Sequence, residues 1–186
     1  VNKTDSLAGF SSKGPRYGDM GLKPDLTAPG VAITAARSHL STLSSGSYIA
    51  MSGTSMATPH VAGAAAILAQ RHPDWKAKQL KDALMSTTNK LDNIKPYQGG
   101  TGRLDIAAAA SSTIFATGSI DFGFFDWPHD ESAPVEKKVT YTNDSDSAVT
   151  LELSTTFKNQ NNSDAPAGML TLSTDKVTVP AKGSVN

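Results

Sequence analysis

The chain has no cysteine among its 186 residues. That absence excludes disulfides, thiolate metal sites and a cysteine nucleophile, and leaves the compartment open. Nor is there a run of about 18 apolar residues, the length a membrane-crossing helix needs. The chain does not begin with Met, and no basic-then-apolar leader stands at Val1. It therefore reads as a mature or cut piece of a longer polypeptide. Net charge is missing too, with 17 basic residues against 17 acidic ones. Such a balance gives no basis for nucleic acid or a membrane as partner. Apolar residues make up 38%, enough for a core, and the length suits one large domain or two small ones.

The balance conceals a division. Residues 1–112 carry 12 Lys and Arg against 7 Asp and Glu, and residues 113–186 carry 5 against 10. The residue pattern changes at the same place. In the first part VAITAA (31–36) follows the turn-forming Ala-Pro-Gly of TAPG and reads as a strand. YIAM (48–51) is a second short strand. HVAGAAAILAQ (60–70) has small residues on every side and predicts a helix buried all round, which neighbouring backbones can approach closely. In KAKQLKDALMSTT the apolar Leu80, Ala83 and Leu84 recur at helical spacing. Asp74 is a candidate cap for that helix. LDIAAAA (104–110) predicts a further helix after a glycine loop at 99–102. This order predicts an α/β layer structure.

From about Thr113 the period shifts to two. VTYT (139–142), VTLEL (149–153), LTLST (170–174) and KVTVP (176–180) read as strands, with NDSDS as a turn and NQNNSD (159–164) as a solvated loop. Short strands of this kind predict an all-β sandwich over residues 113–186. VPAKGSVN stops where a further strand is expected, so the sandwich reads as incomplete.

One stretch carries chemistry. SGTSMATPHVAG (52–63) places three hydroxyl residues at the mouth of an apolar helix. A helix N-terminus offers free N–H groups and a positive dipole end, which suit a developing oxyanion. A hydroxyl there becomes a nucleophile once a base takes its proton. Gly53 permits close approach of a substrate backbone. The structural alternative is that Ser52, Thr54 and Ser55 are N-caps. An α/β-hydrolase is a weak second enzyme reading, because its elbow wants Gly-x-Ser-x-Gly and Ala57 stands where the last glycine should be.

GTSMATPHVAGAAAIL (53–68) resembles the serine-bearing signature of the subtilisin-like serine peptidases. LAGFSSKGPR (7–16) is similar to that family's FSS-x-GP segment, and LKPDLTAPGVAI (22–33) to its KPD-x-x-APG segment. HPDWKAKQLKDALMSTT and GTGRLDIAAAA resemble later parts of the same domain, although Lys76 and Ala77 replace the usual Ser-Pro. The resemblance implies the C-terminal part of a three-layer α/β/α catalytic domain over residues 1–112. It implies more loosely a fibronectin-III-like sandwich over 113–186.

It also implies roles. Ser55 matches the nucleophile, and its own N–H would serve the oxyanion. Thr54 sits beside the oxyanion hole, and Met56 follows the nucleophile. His60 matches a structural helix residue, not the base, while His39, His72 and His129 lie outside any motif and are expected at the surface. The family's catalytic Asp and His motifs, Asp-Thr/Ser-Gly and His-Gly-Thr, are not found in this sequence. They are expected upstream in the same polypeptide, a required partner. The implied parent is a secreted or extracellular endopeptidase acting on polypeptides, with no cofactor or metal site expected here. The competing expectation is a catalytically inactive structural or binding fragment.

Overall fold

The computed structural model describes residues 5–128, 133–159 and 161–186. Among these, Ile33–Ala36 (β1) and Tyr48–Met51 (β2) form an antiparallel hairpin, with Ile33 opposite Met51. Helices follow at Thr54–Arg71 (α1), Ala77–Ser86 (α2), Pro96–Gly99 (α3) and Ile106–Ser111 (α4). The remaining strands are Ile114–Ala116 (β3), Tyr141–Asn143 (β4), Val149–Glu152 (β5), Lys176–Val179 (β6) and Gly183–Val185 (β7). They form an antiparallel sheet in the order β3-β4-β7 and a separate antiparallel pair β5-β6. The chain is thus α/β in its first part and strand-rich in its second. LTLST (170–174), expected as a strand, pairs with no described strand. Its alternation finds no ladder partner, and a strand needs one.

The core gathers where α1, α2, α4 and β3 meet. Ala64 and Leu68 of α1, Ala83 and Leu84 of α2, Leu104, Ala109 of α4 and Phe115 of β3 are buried together. Burial of a leucine such as Leu68 contributes about 1.5–3 kcal/mol. Phe115 lies beyond the change in composition at residue 112, so the helical core extends into the strand-rich part.

Two helix expectations need correction. α1 is not buried all round: Ala64 and Leu68 are its buried residues, whereas Ala62, Gly63, Ala66 and Ile67 are exposed. A Cβ built on Gly63 meets nothing within 4 Å. The small residues make a face for close neighbours, and among the described residues such neighbours lie on one side only. Asp74 is not the cap of α2. The helix starts at Ala77, and the Gln79 side chain accepts from the Lys76 N–H at 2.8 Å. A glutamine at the third helical position satisfies an otherwise orphaned donor there.

The segment from Gly100 to Leu104 ties the first part together. The Thr27 N–H donates to Gly102 O (2.9 Å) and the Leu104 N–H to Thr27 O (2.8 Å). Asn89 and Arg103 exchange two backbone bonds, each 2.8 Å. Asp105 then caps α4, accepting from Ala108 N at 2.9 Å and from Asn89 Nδ2 at 2.8 Å. The Ala108 bond first, then that of Asn89, holds its carboxyl below the ordinary Asp value. The close passage needs glycine. At Gly102, with φ of +137°, a Cβ would sit 2.3 Å from the Asn89 carbonyl oxygen.

Gly102→Ala should therefore lower stability by about 3 kcal/mol or more, since a strained φ and a backbone clash act together. Gly9→Ala, whose Cβ would meet nothing within 4 Å, should stay within about 0.5 kcal/mol. Urea midpoints check both, and equal shifts would show that the crossing is not a close one.

Candidate active site

The hydroxyl-rich stretch forms the loop from β2 into α1. Ser52 precedes the helix, Gly53 occupies the cap position, and Thr54 opens the first turn. Gly53 is fully extended, with φ 162° and ψ 161°. Its N–H donates to Gly30 O at 2.8 Å. A Cβ on Gly30 would approach Gly53 O to 2.8 Å and Ala57 Cβ to 3.3 Å. The Ala-Pro-Gly turn thus lies directly against the helix mouth and sets its position.

The three hydroxyls are not equivalent, and none is an N-cap. No side chain caps α1, and its first turn holds no Asp or Glu. Ser52 Oγ instead accepts from the Ala32 N–H at 2.9 Å, which ties the helix entrance to the start of β1. The Thr54 and Ser55 hydroxyls are exposed, and neither hydrogen-bonds to a described residue. In an ordinary helix the first N–H groups are orphaned and draw a capping side chain. Here no side chain caps the Thr54 and Ser55 N–H groups. Met56 is half-buried and its N–H bonds Gly53 O at 3.0 Å.

The next turn closes on itself. Thr58 Oγ1 donates to Thr54 O at 3.0 Å, and His60 Nδ1 donates to Met56 O at 2.9 Å. The carbonyl can only accept, so the proton is on Nδ1. Pro59 lies six residues into the helix and has no N–H to offer the Ser55 carbonyl. His60 is thus engaged with the backbone of its own helix. His39 lies exposed in the β1–β2 loop, and His129 is outside the described residues. His72 differs from its expectation. It ends α1, is partly buried, and stacks on Trp75 with ring centroids 3.9 Å apart. Its stacking partner follows at a spacing of three, a signal legible in His-Pro-Asp-Trp.

No three His, Asp or Glu residues cluster as a metal site among the described residues. Two shallow cavities of about 430 and 240 Å³ flank Gly100 and Thr101. Their linings include Met85 and Pro96 but none of Thr54, Ser55 and Met56.

The segments that build this helix mouth lie within a stretch shared with known proteins. Residues 1–118 match the Subtilase family, and the chain belongs to that family. It is 44% identical over 110 residues to Subtilisin E of Bacillus subtilis (strain 168), covering 59% of this chain and 25% of that protein. With Subtilisin-like protease SBT1.3 of Arabidopsis thaliana it shares 42% over 130 residues, 65% of this chain and 16% of the relative. Minor extracellular protease Vpr of Bacillus subtilis matches at 34% over 188 residues, 95% of this chain and 22% of the relative. The chain therefore spans about a quarter or less of these relatives. No described helix is long and apolar enough to cross a membrane.

The division among the hydroxyls predicts unequal costs. Ser52→Ala leaves the Ala32 N–H without its acceptor and should cost about 1 kcal/mol. Ser55→Ala removes a hydroxyl without a partner and should stay within about 0.5 kcal/mol. Urea midpoints of the two variants decide it; a Ser55→Ala loss as large as that of Ser52→Ala would contradict this division.

Proposed function

We propose that the parent protein is a serine endopeptidase in which Ser55 is the nucleophile. The observation that carries this is the free, exposed Ser55 hydroxyl at an uncapped helix mouth, beside a Ser52 whose hydroxyl is already bonded. Ser55 Oγ would bond to the scissile carbonyl carbon while its proton passes to a histidine base. The carbonyl oxygen then carries the negative charge, and the Ser55 N–H at the positive end of α1 suits it. Collapse of this adduct breaks the C–N bond, the leaving amine takes the proton, and water later releases the acyl group. Thr54 and Met56 flank the reacting centre on this reading.

The base and its aspartate would come from elsewhere in the parent polypeptide. Among the described histidines, His60 is bonded to Met56 O and His72 lies at the far end of the helix. The exposed small-residue face of α1 and the exposed hairpin β1-β2 support a place within a larger α/β/α layer structure over residues 1–112. The strand-rich residues 113–186 would then begin a fibronectin-III-like sandwich. A protease among the relatives is named extracellular, which favours secretion and polypeptide substrates for this protein. The alternative is an inactive binding fragment. It is favoured by one observation: among the described residues no histidine or aspartate hydrogen-bonds the Ser55 hydroxyl.

Two experiments test the reading. A serine-directed phosphonyl reagent should label the active parent at Ser55, and Ser55→Ala should lower kcat by about 10⁴-fold or more, as removal of a triad member does. Labelling at Ser52, or full activity in Ser55→Ala, would sink the assignment.

Residues 1–186 alone should show no turnover of a peptide ester or of casein, because triad members act as a unit. Supplying the upstream segment as a second chain should restore it. Turnover by the 186-residue chain alone that vanishes in Ser55→Ala would show that the distant base is not required.

A further inference from the structure

The seam between the helical and strand-rich parts holds a contact that the proposed chemistry does not use. α1 ends at His72, whose N–H bonds Leu68 O at 2.9 Å. The His72 ring stacks on Trp75, with planes 11° apart. Trp75 in turn meets Phe115 of β3 edge to face, with centroids 5.1 Å apart and planes at 87°. Such offset and perpendicular pairs suit the charge distribution of aromatic rings. The other side of His72 faces the turn between β4 and β5. There its Nδ1 lies 3.4 Å from the Asp144 carboxylate, with side chains 19% and 35% exposed.

That carboxylate is not free to wander. The Asp144 N–H donates to Thr113 O at 2.7 Å, and its carbonyl accepts from Lys182 Nζ at 2.7 Å. Lys182 also lies 3.8 Å from the Asp144 carboxylate and 3.4 Å from that of Asp146. The preceding residue, Asn143, is buried and spans the turn. Its Nδ2 donates to Ser147 O (2.7 Å) and Val179 O (3.3 Å), and its Oδ1 accepts from the Ser145 N–H and hydroxyl. A turn pinned at this many points presents Asp144 to His72 as a fixed feature.

We propose that His72 and Trp75 are the seat on which the strand-rich part holds the C-terminal end of the Ser55-bearing helix, so that the two parts open as one unit. Helix ends fray unless something outside the helix holds them. α1 ends without a glycine cap, at a residue with φ of −130°, and the contacts to Trp75 and Asp144 take the place of one. The relevance to the site rests on the Ser55 reading; the coupling itself rests only on the seam.

Hydrogen exchange of the intact parent protein, read by peptide, tests the proposal across the seam. Trp75→Leu, on the helical side, should speed exchange in residues 141–152 threefold or more. Asp144→Ala, on the strand side, should speed exchange in residues 68–72 by a similar factor. Trp75→Phe keeps a ring and Asp144→Asn keeps an acceptor, so both should stay within twofold of the unaltered protein. Effects confined to the side that carries the substitution would overturn the proposal. Should Trp75→Leu not fold, the half-exposed Asp144 still supplies a decisive variant. These rates do not depend on which residue is the nucleophile, so a failed Ser55 assignment leaves them readable.

Discussion

The position of the helix mouth depends on a backbone crossing far from it in sequence. Residues 100–104 pass between Asp25–Thr27 and Asn89, bonded on both sides. The crossing holds Thr27, and three residues later Gly30 meets Gly53 through a 2.8 Å bond. Gly53 in turn fixes where α1 begins and therefore where Ser55 stands. Backbone bonds define this line of contacts better than side chains would, because a main-chain atom has fewer ways to move. The same requirement explains the glycines. At positions 30 and 102 any side chain would occupy space that a carbonyl oxygen already fills.

Within the site, the chemistry follows from which polar groups remain unsatisfied. Buried or bonded hydroxyls serve the fold, as Ser52 does for β1 and Thr58 does for the first turn of α1. With the Gly53 and Met56 N–H groups bonded and no side-chain cap, the Thr54 and Ser55 N–H groups are the ones that leave a local positive potential directed outward. A serine within that potential is stabilised more as it becomes an alkoxide or as a neighbouring oxygen gains charge. Pro59 has no N–H to offer the Ser55 carbonyl, and the His60 ring nitrogen bonds the carbonyl of Met56. Among the hydroxyls here, those of Ser52 and Thr58 are bonded, and those of Thr54 and Ser55 bond no described residue.

Much of this was legible in the sequence, and the gaps have physical causes. YIAM coincides with β2, and the helical spacing of Leu80, Ala83 and Leu84 placed α2 correctly. Ser55 at the helix mouth followed from hydroxyls before an apolar run, although the observed α1 begins at Thr54 and not near His60. The early start was hidden by Pro59, which normally marks a boundary, yet sits in the second turn here. LTLST failed because alternation specifies a face but not a partner strand. His72 was misjudged as a surface residue because its partners, Trp75 and Asp144, are 3 and 72 positions away. Only the first lies within reach of a local pattern. The freedom of the Ser55 hydroxyl was not legible at all, since only coordinates reveal that Ser52 has already taken the nearby donor.

The exposed face of α1 links the fold to its surroundings. Ala62, Gly63, Ala66 and Ile67 lie together on the outer side of a helix whose inner side carries Ala64 and Leu68. Helices that face water on one side normally place charged residues there. Between Thr54 and Gln70 this helix has none. An outer face that is both apolar and small suits a second layer of backbone at short range, and contact with water leaves its hydration cost unrelieved. The hairpin β1-β2 also exposes apolar residues, the larger Tyr48 and Met51. The helix that carries the first surface begins at the Gly30–Gly53 contact. A layer packed on both would hold that helix from the outer side, as the backbone crossing at Gly102 holds the Thr27 segment from within.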